Sequence, residues 1–431
     1  MITIGHQRVR RNWSWKVFAN AGATIGLLLG MTTMGGAVAS VPFAPACAAS
    51  SPQDPQRAAT GRVAPMSVTG HPVAVATAQD DQSVFVAVAT RGLRDPNGLQ
   101  VFQRGGDRLK PQGIIPLRSH VSGLVPSPDG RVLLATLDDG LAVVDVARGS
   151  IGDPSSLMGY IETAGGARAS GIAIAAGRYL FMADRQSGRV DVLDLPRIES
   201  GDFGPAARVG TIDVDVAPTG LAASPDGRYI YVVSDLPRPA VGLGLGDFVY
   251  GGLASFGPLR RAGTLSVIDM KRVDLNPSMA VVARVPAGCG PTGVAASSDG
   301  RTVWVTAQRS NELLAFAADR LLSGQPAGPV VRVPVGAGPV GLHLVRGGRF
   351  ALVADSSDPK DSGGSGGPGP AEEVCLVDTA AALAGRSPVH TGIAVGSFSG
   401  DIWVSADQRL VYVANNGSSV LTQVDLTALL G

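Results

Sequence analysis

Five histidines and three cysteines are all that this 431-residue chain offers for imidazole or thiol chemistry. His71, His120 and Arg168 each stand three residues ahead of a recurring position, held by Ala74, Gly123 and Gly171. Equal offsets in a repeated sequence put side chains at equivalent spots in successive copies of one unit. Two imidazoles and a guanidinium converging on one place would cradle a carboxylate or another anion. The imidazoles would also ligate a metal if Asp138 or Asp184 completed the set. Ordinary loop histidines bonded to backbone explain the same residues without any function. The later copies carry Ala217, Gly290, Gly338 and Phe398 at this offset, and Phe398 joins the ligand-binding candidates as the one large side chain. There is no nucleophile elbow and no metal-spaced cluster, so no catalytic residue and no metal ligand is assigned. A cofactor-attachment motif such as C-x-x-C-H is absent too, and no cofactor is expected.

The elements that must position these residues are written seven times. "GLAASPDGRYIYVVSD" at 220 is matched by "GVAASSDGRTVWVTAQ" at 293, and looser copies begin at 74, 123, 171, 341 and 401. The recurring column is Ala74, Gly123, Gly171, Gly220, Gly293, Gly341 and Asp401, most steps being 48 or 49 residues. Each unit reads as four strands: an apolar run, a Pro-Asp-Gly turn, a β-branched and aromatic run, a run ending in Asp, and an alternating run. Four strands in each of seven units, without a long amphipathic helix, predict an all-β, seven-bladed β-propeller with four antiparallel strands per blade. The last unit lacks its fourth strand, and "RVAPMSVTG" at 62–70 has the character to supply it and close the ring. The Asp residues ending second strands (Asp138, Asp184, Asp235, Asp355) and third strands (Asp145, Asp194, Asp269, Asp378, Asp425) recur too widely for one active site. They read as turn caps.

"YVAN" at 412–415, "SPDGRYIYVVSD" and the "VID"-like third strands resemble the YVTN family of β-propellers, over residues 62–431. The resemblance implies an extracytoplasmic protein related to surface-layer and lactonase-like propellers. It opens a reading as a hydrolase acting on a sugar lactone at the channel mouth, through His71, His120 and Arg168. No close His-X-His pair of the lactonase kind is present. His343 lies in an innermost strand and His390 in an outer loop. A binding module is the preferred expectation and enzyme activity the alternative.

Two units are stretched. Residues 235–263 and 355–373 lengthen the connection between the second and third strands of units four and six, and both decorate one face, here termed upper. The second is Gly, Ser, Pro and charge, a solvated loop. The first carries Phe248, Tyr250 and Phe256 among glycines, too apolar for an idle loop, and reads as a channel plug, a ligand lid or a partner-binding lip. The expected partner is an envelope protein, a glycan or a small molecule.

The formal net charge is +1 with 16% charged residues, which gives no electrostatic footprint for nucleic acid. Residues 1–48 combine a basic start, an apolar run and small-residue sites, a signal peptide with cleavage after Ala39 or Ala48. Residues 49–61 read as a linker and 62–431 as the propeller. Export to the periplasm, cell surface or medium as a monomer is expected, with membrane attachment only if the N-terminus stays uncleaved or Cys47 is acylated. With Cys47 lost, Cys289 and Cys375 would remain, placed in an inter-blade loop and a strand and expected as two unpaired, buried thiols.

Overall fold

Seven four-stranded sheets, one for each unit of the repeat, make up the computed structural model of this protein. The structure describes residues 57–58, 63–89, 97–106, 108–163, 169–237, 262–324, 327–356, 373–388, 390–397 and 399–430. All lie in one compact unit, 44–431. In six blades the four strands follow chain order and pair antiparallel with their sequence neighbours, and in the seventh the last three strands of the chain do so. The first strands are His71–Thr77, Val121–Pro126, Ala169–Ala175, Val216–Ala223, Pro291–Ala296, Pro339–Val345 and Ser399–Val404. Each packs beside the next and the seventh beside the first, so they line the axis of a closed ring.

Ring closure runs through the chain's beginning, as the missing strand requires. Val63–Ser67 pairs antiparallel with Val420–Asp425, with Val63 opposite Val424 and Ser67 opposite Val420. Just upstream, Arg57–Ala58 adds a fifth, parallel strand to blade six beside Thr391 and Gly392. His390 opens the fourth strand of that blade, where the sequence pattern predicts a loop.

Second and third strands are pressed between neighbouring blades, and their composition follows. Val132–Leu137 is buried at every residue, and Thr302–Ala307 likewise. A strand covered on both faces reads as a continuous apolar run instead of an alternation. Trp304, Tyr412, Phe85 and Phe181 are among the largest fully buried side chains, each such burial contributing about 1.5–3 kcal/mol.

All seven first strands carry a register irregularity at one place, just ahead of the recurring glycine column. A Cβ on Gly171 would stand 2.5 Å from the carbonyl oxygen of Thr219, and one on Gly293 2.7 Å from that of Val340. The glycine column therefore marks where the bulged backbone of one blade meets the next. One residue earlier, hydroxyls tie the blades together. Ser122, Ser170, Thr219 and Thr292 donate to the carbonyls of Ala169, Pro218, Pro291 and Pro339, respectively, at 2.5–3.1 Å.

The Asp residues ending third strands do cap, and what they cap is a one-turn helix that the strand pattern does not foretell. Asp145 accepts from the Arg148 amide, Asp194 from Arg197, Asp269 from Lys271 and Asp378 from Ala381. Asp425 accepts from the Thr427 amide at 2.9 Å. Such a cap is worth about 1 kcal/mol. Among the described residues no helix is long and apolar enough to cross a membrane.

Candidate functional site

Because strands alternate in direction, the loops leading into first strands and the connections between second and third strands share the upper face. The structure stitches them together. The Asp138 amide donates to the His120 carbonyl in blade two, and the Ser356 amide to the Gly338 carbonyl in blade six. The base of the long connection in blade four is held most firmly. The Gly263 amide donates to the Gly288 carbonyl at 2.7 Å, and the Ala287 amide returns to the Gly263 carbonyl at 2.8 Å. Arg309 of blade five reaches across with both terminal nitrogens to the carboxylate of Asp235, Nη1 at 3.2 Å from Oδ2. This forked, partly buried pair fixes the point where the chain leaves the second strand of blade four. Gly290 makes room for it, since a Cβ there would lie 3.0 Å from the guanidinium carbon.

The column three residues before the glycines now has a backbone explanation. Ala217, Gly290 and Gly338 all adopt φ between 55° and 65°, a left-handed conformation that favours small residues. Their small size answers to the turn, with no need for a ligand. His71 does not float in the channel mouth either: its Nδ1 lies 2.7 Å from the carbonyl oxygen of Asn416, in the blade-seven turn. Beside His120, Arg118 bonds Asp139 at 2.8 Å and stacks over Tyr160, 4.2 Å from the ring centre. No described hydrogen bond joins His71 to His120. Arg168, Phe398, Phe248, Tyr250 and Phe256 lie outside the described residues. Among the described residues no group of three or more His, Cys, Asp or Glu side chains is placed to hold a metal ion.

Two titratable groups sit in innermost strands, Asp401 in blade seven and His343 in blade six. Asp401 fills the glycine column in blade seven and accepts from the Val75 amide at 3.0 Å and the Ile402 amide at 3.0 Å. Burial pushes its pKa up to about 6, although both amide bonds pull the other way. His343, in the first strand of blade six, is held neutral by burial, its pKa lowered to about 4. The signal for Asp401 was a lone acid in a column of glycines. Around it Trp403 donates to Thr77 at 3.0 Å, and Asp81 accepts from the Ala406 amide at 3.0 Å and the Asp407 amide at 3.2 Å. Val340, Gly400 and Val73 break the hydroxyl belt next to this seam, where carboxylates, an indole and the His71 imidazole carry polar links between blades seven and one.

The cysteines divide in a way that corrects the sequence expectation. Cys375 is a free, buried thiol whose pKa burial, with Asp355 nearby, pushes up to about 12. Such a thiol stays protonated and unreactive. Cys289 is disulfide-bonded. It lies in the upper-face loop leading into blade five, between the left-handed Gly288 and Gly290, whereas Cys375 sits inside a third strand of blade six.

No protein-family model matches the chain. Over 204 residues it is 29% identical to the hydrazine synthase subunit beta of Kuenenia stuttgartiensis, a match covering 43% of this chain and 50% of that protein. The chain thus spans about half the length of the curated relative it matches. In three dimensions it is similar to a chain of Kuenenia stuttgartiensis hydrazine synthase, with a TM-score of 0.60, 16% identity and coverage of 82% of this chain and 95% of that one. A chain of a mitotic checkpoint complex aligns with a TM-score of 0.60 and 13% identity, over 92% of this chain and 99% of that one. At such identities the structural likenesses speak for the fold, and that fold is the seven-bladed β-propeller.

Proposed function

We propose that this protein is an exported propeller of the YVTN type that acts as a binding module, recognising its partner with the upper-face loops at 235–263 and 355–373. The observation that carries this reading is the common slot of the two insertions. Both interrupt the same connection, in blades four and six, and so leave the ring from one end. A variable loop on a rigid base is how propellers and other scaffolds present a recognition surface. The base in blade four is rigid in this sense, through the Asp235–Arg309 pair and the Gly263–Gly288 bond.

Among a protein, a glycan and a small molecule, we favour a protein. The relative matched over half its length is named as a subunit, a chain that works beside others. Export is supported by the signal-like residues 1–48 and by the disulfide at Cys289, since such bonds persist in oxidising compartments. The lactone-hydrolase alternative loses ground because His71, its best candidate, is engaged by the Asn416 carbonyl.

The test replaces residues 238–261 with a short Gly-Ser turn and compares partner capture from the cell envelope after cross-linking. Loss of specific partners at an unchanged melting temperature is expected. Recovery of the same partners from the shortened protein would remove the upper-face reading. A lactone-hydrolysis panel run alongside should stay at background. Turnover abolished by His71→Ala would establish the hydrolase in its place.

A further inference from the structure

We propose that a cavity in the outer seam between blades seven and one binds a small amphipathic carboxylate, with its charged head on Arg108 and its apolar body between the blades. The proposal is independent of what the upper face recognises. Ala64, Pro65, Met66, Leu421 and Gln423 line the cavity from blade seven, and Arg108 and Leu109 from blade one. Its volume is about 280 Å3, and at about 30 Å3 for each water-sized group it holds roughly nine or ten non-hydrogen atoms. That is too little for a folded peptide or a sugar chain.

The register explains why the blades part here. One cross-strand row of blade seven runs Trp403, Tyr412, Gln423 and Ala64 from the channel to the rim. Residues paired in this way share one face of a sheet, and the row shrinks to a methyl group at the rim. In the next row on that face Met66 stands opposite Leu421. This face meets blade one, where Leu109 packs against the same apolar cluster as Met66, Tyr412 and Leu421.

Polar groups are set into these apolar walls. Arg108 is exposed at the start of the outer strand of blade one, and its guanidinium can give a carboxylate two parallel bonds. Gln423, only 9% exposed, adds an amide to the lining. Next to it in the row stands Tyr412, fully buried, whose hydroxyl has no hydrogen-bond partner among the described residues. A buried hydroxyl of that kind is uncommon in native proteins and calls for an acceptor. Burial pushes its pKa up to about 12, which keeps it a neutral donor, while Arg104 pulls the other way. Arg104 lies directly across the strands from Leu109. Asp81 and Asp407, whose charges also reach the hydroxyl, are held by backbone amides. Among the described residues no acid lines the cavity. The donors favour an anion, and the apolar walls favour one with a hydrocarbon body.

Isothermal titration of the purified protein with octanoate, an apolar acid of about this size, and with octanol tests the site. Saturable one-to-one binding of octanoate is expected, with octanol about tenfold weaker. Arg108→Gln, on an exposed stretch of edge strand, should weaken octanoate about tenfold while leaving octanol and the melting temperature unchanged. Tyr412→Phe should weaken octanoate severalfold. Ala64→Phe, also at an exposed edge position, puts a ring into the cavity and should abolish binding of both. The proposal is overturned by an absence of saturable binding or by octanol binding as tightly as octanoate. Octanoate binding that survives both Arg108→Gln and Ala64→Phe would overturn it too, as would crystals grown with octanoate that show only ordered water beside Tyr412.

Discussion

Asp401→Asn isolates one partly buried carboxyl group at the seam where the ring closes. The substitution keeps the shape and an acceptor for the Val75 amide while removing ionisation. In the folded protein Asp401 titrates near pH 6, against a usual value of 3.8. Between these values the native state holds a proton that the unfolded chain has released. Its contribution to stability is complete below about pH 4 and is lost as pH rises through about 6. Some two pKa units at about 1.4 kcal/mol each set a ceiling of about 3 kcal/mol. With an unfolding entropy of about 2.1 cal/mol/K per residue, that is roughly 4 °C for a ring of this size. His343 works with the opposite sign, its contribution complete above about pH 6.5 and lost as pH falls towards 4. The two slopes oppose each other in the wild type, which should show a shallow profile. Melting curves by circular dichroism at steps from about pH 4 to 7.5 should find Asp401→Asn gaining roughly 4 °C on wild type across the range, its own stability rising with pH. A difference that stays constant with pH, or a variant that loses ground at high pH, would refute the idea that folding raises the pKa of Asp401.

Deleting residues 62–70 removes the five-residue ladder between Val63–Ser67 and Val420–Asp425. A loss of about 5 kcal/mol, from ladder hydrogen bonds at about 1 kcal/mol each, should lower the melting temperature by roughly 7 °C, and an unchanged transition would contradict closure by this strand. Gly171→Ala forces a Cβ against the Thr219 carbonyl, a backbone atom that cannot swing aside, and should cost about 1–3 kcal/mol in chemical denaturation. Gly105→Ala, whose Cβ would meet ordinary contacts of 3.6 Å or more, should stay within about 0.5 kcal/mol of wild type. A double-mutant cycle on Asp235→Ala and Arg309→Ala should return a coupling of about 1–2 kcal/mol, and additive effects would mean the pair does not hold the base of the long loop.

Much of this was legible from spacing. The seven-fold period, the Pro-Asp-Gly turns and the apolar second strands follow from local rules, because turn chemistry and strand burial are written within a few residues. The missing last strand and the spare "RVAPMSVTG" made closure an inference, which the Val63–Val424 pairing bears out. The Asp at each third-strand end also announced its own job, since five copies of a side chain that bonds nearby amides describe a scaffold device. Their helical targets were less visible, being a single turn with no periodicity to read.

The sequence by itself determined the blade, its count and the slot from which the long loops leave. Only the tertiary structure decided what the odd residues of each copy do, because those roles depend on neighbours hundreds of residues away. His71 finds Asn416, Val75 finds Asp401 and Asp81 finds Ala406 only once blade seven meets blade one. The small residues Ala217, Gly290 and Gly338 share a column with His71 and His120, and the structure shows why they are small: each is a left-handed turn residue. Cys289 looked like an ordinary buried thiol until the fold showed it bonded. A repeat encodes what each copy shares. The ring, by bringing its ends together, assigns meaning to where the copies differ.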